Sequence, residues 1–76
     1  MVAQVKQLVY NELTQYKDME ANPMTAMLLS QHCTAIVEHL LSKGFRMTDE
    51  YGGLVVGVDV QAVDGRFVPY PIYETR

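Results

Sequence analysis

Two periods divide this chain. From Val2 to Leu41 the apolar residues recur at three- and four-residue spacing, and from Phe45 to Tyr73 they tend to alternate. Val2, Val5, Val9, Leu13 and Tyr16 fall on one side of a helix turning ~100° per residue, with Lys6, Asn11 and Lys17 elsewhere. A first helix is expected over about 2–20. Asn22-Pro23 then interrupts, and it also starts the next element. Asn is a favoured N-cap, and Pro is pre-set for the first helical position. Ala26, Leu29, Cys33, Ile36, Val37 and Leu40 make the second stripe. Gly44 suits the left-handed residue that closes a helix, and Phe45 can pack back on the last turn. A second helix is expected over about 23–43.

Beyond Phe45, Gly52-Gly53 and Asp64-Gly65 are both two-residue hairpin signals. Strands over about 45–51, 54–63 and 66–73 follow. With Asp64-Gly65 as a loop, Val63 faces Arg66, Gln61 faces Val68, Asp59 faces Tyr70 and Gly57 faces Ile72. These are the hydrogen-bonded pairs, so Pro69 and Pro71 fall between them with their missing N–H groups turned outward. Proline is tolerated there only on an edge strand. With Gly52-Gly53 as the other loop, Met47 faces Val58 and Phe45 faces Val60. One side of the sheet then carries Phe45, Met47, Leu54, Val56, Val58, Val60, Phe67 and Tyr73, and the other is largely polar. This register aligns Arg46, Asp59 and Tyr70 in one cross-strand row. The expected architecture is a single α+β domain over 1–76, in the order ααβββ. Both helices pack on one face of a three-stranded antiparallel sheet.

Size sharpens the picture. A chain of 76 residues buries only about 60% of its unfolded surface, and domains this small commonly gain stability from disulfides, a metal or a partner. Cys33 is the one cysteine, which excludes a disulfide within the chain. A partner chain is the remaining expectation. The formal charge of −3, with six scattered Lys and Arg, works against nucleic acid, whose binding needs clustered cations to displace counterions. No apolar run approaches the ~20 residues that span a bilayer. Lys6, Asn11, Glu12 and Gln15 break the N-terminal stretch, so neither a membrane segment nor a signal peptide is expected. A lone thiol points to the cytoplasm.

Candidate chemistry is sparse. His32 and His39 are separated by two turns, or about 10 Å, too far to share one metal. Cys33 lies mid-stripe, where burial suppresses reactivity. No phosphate-loop or nucleophile motif occurs. Catalytic, cofactor and metal sites are therefore expected to be absent, and the chain is not expected to be an enzyme. The surplus is apolar. Met24, Met27 and Leu28 lie opposite the core stripe of the second helix, and Val68, Tyr70 and Ile72 lie on the polar sheet face beside Arg46 and Asp59. A contiguous exposed apolar patch marks an interaction site. The sequence thus reads as a small cytoplasmic protein-interaction domain. It would be a homodimer or a stoichiometric binder or inhibitor of a larger protein, analogous in composition to accessory proteins of phages and mobile elements. One alternative is a nucleic-acid-binding protein using helix 23–43 and the 64–65 hairpin; another is a small metal-binding or enzymatic domain.

Overall fold

A computed structural model describes residues 2–74. In chain order the elements are β1 (Val2–Gln4), α1 (Val5–Thr14), α2 (Pro23–Ser42), β2 (Arg46–Thr48), β3 (Val55–Val63) and β4 (Arg66–Tyr73). The fold is α+β with two helices, as expected. The order is βααβββ, and the strands form two separate pairs: β1–β2 parallel and β3–β4 antiparallel.

The β3–β4 ribbon has the expected register. Val63 pairs with Arg66, Gln61 with Val68, Asp59 with Tyr70 and Gly57 with Ile72. Asp64 (φ 52°) and Gly65 (φ 76°) make the tight turn, both left-handed as a primed hairpin turn requires. One bulge between Val55 and Gly57 sets two residues of β3 against one of β4, so Val55 faces Tyr73. The bulge reverses the expected facing of this end: Val55, assigned by strict alternation to the polar side, is fully buried.

The expected three-stranded sheet does not form, and the reason lies on α2. Val58 and Val60 turn their N–H and C=O groups away from β4, toward the edge expected to receive the strand at 45–51. Thr34 Oγ1 accepts from Val58 N–H and donates to Val58 O, both at 3.0 Å. Ser30 Oγ accepts from Val60 N–H at 2.7 Å and lies 3.1 Å from Val60 O. The spacings match: four helical residues rise ~6 Å, and two strand residues rise ~6.7 Å. The hydroxyls of α2 thus take the place of a neighbouring strand. Gly57 permits this approach, since a Cβ there would stand 3.2 Å from Thr34 Cγ2 and Oγ1.

Displaced from β3, β2 pairs with β1 instead: Val2 with Arg46, Ala3 with Met47 and Gln4 with Thr48. A single antiparallel bridge joins Thr48 to Leu54, three residues out of the expected register, which set Met47 opposite Val58 and so Thr48 opposite Gly57. The first helix accordingly starts at Val5, and Val2–Gln4 is extended. It ends at Thr14, short of residue 20, because Tyr16 is the one residue of 15–18 that packs against the core. Tight turns with i+3 hydrogen bonds follow, from Gln15 N to Glu12 O and Tyr16 N to Leu13 O.

The second helix follows its signals closely. Asn22 and Thr25 form a reciprocal capping box, Thr25 N to Asn22 Oδ1 at 2.9 Å and Asn22 N to Thr25 Oγ1 at 3.0 Å. At the other end Phe45 N bonds Leu40 O and Gly44 N bonds Leu41 O, a Schellman closure. Val5, Val9 and Leu13 of α1 and Leu29, Cys33 and Val37 of α2 share one core with Met47, Val55, Val58 and Val60. α1 therefore lies over the Val58, Val60 side of the ribbon, and α2 runs antiparallel to β3 along its edge.

Candidate interaction surface

The capping box fixes where α2 begins and so which way its residues turn. With Ala26, Leu29 and Cys33 inward, Met24, Met27 and Leu28 are 70%, 54% and 53% exposed. On the ribbon, the side away from α1 carries Asp59 opposite Tyr70, Gln61 opposite Val68 and Gly57 opposite Ile72. Tyr70 and Ile72 are exposed, and Asp59 and Val68 are half-buried.

The two patches meet at one groove. Met27 and Gln31 of α2 line the same groove as Asp59 and Gln61 of β3. Further along, Thr34 and Ile72 Cδ1 both approach the position a Cβ would take on Gly57, at 3.2 and 3.4 Å. The hydroxyl clamp brings the helix alongside the strand and so sets Met27 beside Asp59 and Gln61. Arg46 does not belong to this surface. It stands on β2 opposite Val2, so the expected Arg46–Asp59–Tyr70 row is reduced to its Asp59–Tyr70 half. Asp59 Oδ2 accepts instead from Gln61 Nε2 at 2.8 Å. Sequence reasoning missed Gln31, Thr34 and Gln61. Ser30 and Thr34, spaced i and i+4 at the border of the core stripe, together with a glycine inside a strand, were the available signal.

The opposite side of the ribbon holds a second feature. Residues 49–53 fold around one carboxylate: Asp49 Oδ1 accepts from Tyr51 N–H at 2.9 Å and Gly53 N–H at 2.7 Å. Its Oδ2 accepts from the Tyr73 hydroxyl. The Tyr73 bond first, and the Gly53 N–H next, hold the Asp49 carboxyl below the ordinary aspartate range. The same bond raises the Tyr73 phenol. Between this turn, α1 and β4 lies a cleft of about 290 Å³ with Tyr10, Tyr51, Tyr73, Pro69 and Pro71 in its walls and Lys6 and Glu50 at its edge.

The histidines and cysteine have structural surroundings. His32 Nε2 lies 2.7 Å from Glu12 Oε1, and its ring meets Tyr16 edge-on at 5.9 Å, which links α2 to α1. Cys33 is buried and free; burial first, and Glu12 second, push its thiol pKa up. Among the described residues no three His, Cys, Asp or Glu side chains gather as a metal cluster would require. Among the described residues, no helix is long and apolar enough to cross a membrane.

Comparison with protein-family models, with curated proteins and with solved structures finds no match for this chain.

Proposed function

We propose that this chain is a cytoplasmic protein-interaction domain without catalytic activity, and that it pairs with a second copy of itself through the surface shared by α2 and the open side of the ribbon. The observation that supports this is continuity: Met27 and Gln31 of α2 line one groove with Asp59 and Gln61 of β3, whose cross-strand partners are Tyr70 and Val68. Methionines adapt to a partner's contours, and tyrosine adds rigid amphipathic contact area. Charge on this surface does not oppose a like partner. From Pro23 to Ser42 the helix carries Glu38 and no Lys or Arg, while the open ribbon side carries both Asp59 and Arg66. Two copies can meet about a two-fold axis, each offering the same patch, without like-charge repulsion. The same lack of cations on α2 works against its use as a reading helix on nucleic acid.

Sedimentation equilibrium tests the reading. The unmodified chain is expected to show a concentration-dependent dimer mass into the high micromolar range. Met27→Asp and Ile72→Asp, on the two halves of the surface, should each return it to a monomer. Both sites are exposed, so each variant should keep the fold of the dilute chain within about 0.5 kcal/mol. A monomer at every concentration contradicts self-pairing; unfolding of either variant contradicts the surface assignment.

A further inference from the structure

The cleft on the other side of the ribbon is concave, aromatic and acidic, and it is separate from the proposed pairing surface. Tyr10 comes from α1, Tyr51 from the 49–53 turn and Tyr73 from the end of β4. Tyr51 is almost fully exposed and stands at the mouth, while Tyr10 and Tyr73 are about half-exposed. Tyr73 is held by its hydroxyl on Asp49 and lies against the Gly53 backbone, where a Cβ would stand 2.9 Å from its Cε1. The ionisable carboxyl and amino groups in the walls are Asp49, Glu50 and Lys6, two acids against one base. The chain's own ammonium already sits at this site: Lys6 Nζ is 3.6 Å from Glu50 Oε2 and 5.8 Å from the Tyr10 ring centroid. That distance falls within the ~6 Å over which an aromatic face attracts a cation. Both members of the ion pair are about half-exposed, and such pairs contribute at most about 1 kcal/mol. An incoming cation can therefore displace Lys6 at little cost.

We propose that this cleft binds an organic cation, an alkylammonium or guanidinium group, against the tyrosine faces and Glu50, with Lys6 as an internal occupant that yields to it. The volume of about 290 Å³ is at the small end of ligand pockets, which suits a cationic head group better than a large molecule. The head group can be a free quaternary ammonium or the side chain of a peptide. Asp49 is engaged by Tyr51, Gly53 and Tyr73, so its role is to hold the turn, and Glu50 is the carboxylate that meets the ligand.

Tyrosine ring resonances report the test. Choline is titrated against its neutral carbon isostere, 3,3-dimethylbutan-1-ol, alongside N-acetyl-lysinamide and N-acetyl-argininamide. At least one of the three cations should shift the rings of Tyr10 and Tyr73 saturably, with no matching effect from the alcohol. Choline alone assigns a free quaternary ammonium, and the amides alone assign a peptide side chain. Lys6→Met should tighten binding about two- to fivefold, and Glu50→Gln should weaken it by a similar factor, the range for a cation–π or ion contact at an exposed site. Equal shifts from the alcohol, no saturable shift from any cation, or an affinity unchanged in Lys6→Met would each overturn the proposal. None of these outcomes depends on whether the chain self-associates.

Discussion

The two helices bury similar stripes in one core, yet they are held in different ways. α2 has a reciprocal cap at its start, a Schellman closure at its end and two hydroxyls bonded to the backbone of β3. α1 has half the length, no side-chain cap at Gln4 and only tight turns after Thr14. It is held by Val5, Val9 and Leu13 and by the partly exposed Glu12–His32 contact. The contrast separates two uses of one small core. The proposed pairing surface is built on the most constrained element, so little ordering cost falls on association. The proposed cation cleft lies beneath the less constrained helix, where walls can adjust around a ligand.

The largest effect should come from breaking the clamp. Thr34→Val keeps the shape but leaves Val58 N–H and C=O without partners, and Ser30→Ala does the same to Val60 N–H. Each should cost about 1–3 kcal/mol, since a buried backbone group loses its hydrogen bond. That is a large share of the total for a domain this size, whose stability is about 4–11 kcal/mol. Urea unfolding measures it. Midpoints unchanged in both variants would mean that the hydroxyls are incidental to the position of α2.

A smaller effect should appear at the turn under α1. Asp49 keeps its charge to lower pH in the folded chain than in the unfolded one, so near pH 4 the unfolded chain binds more protons. The stability this adds is full above about pH 3.9 and is lost as pH falls further. Tyr73 keeps its proton to higher pH when folded, so its contribution is full below about pH 10 and is lost as pH rises beyond. Melting temperatures of the unmodified chain and Tyr73→Phe, compared across pH, should differ most between these limits and converge outside them. A constant difference at all pH values would show that the hydroxyl bond to Asp49 adds nothing.

How much of this was legible in the sequence follows the same division. α2 was readable to within one residue because Asn22-Pro23 and Gly44 act locally, on the helix they bound. The β3–β4 register was readable because Asp64-Gly65 and the two prolines agree on one alignment. The third strand was not, because its place was taken by Ser30 and Thr34, which lie 30 and 24 residues from the β3 residues they bond. Those hydroxyls resemble ordinary polar residues at a stripe's border, and alternation alone cannot show that a helix has claimed a strand edge. Arg46 left the expected row for the same reason. Val2–Gln4 was misassigned because three residues fit either period, and pairing with β2 decided between them. Met24, Met27, Leu28, Tyr70 and Ile72 are exposed as the stripes imply, but the groove that sets Met27 beside Asp59 was not legible, since it depends on that clamp.

In the proposed dimer, association uses the α2 and open-ribbon surface and leaves the α1 side free. Amide chemical shifts recorded across a dilution series test it most directly. The account predicts concentration-dependent shifts at Met24, Met27, Leu28, Gln61, Tyr70 and Ile72, with Tyr10 and Tyr51 unmoved. Shifts confined to Tyr10, Tyr51 and the 49–53 turn, or a spectrum that does not change with concentration, would contradict it.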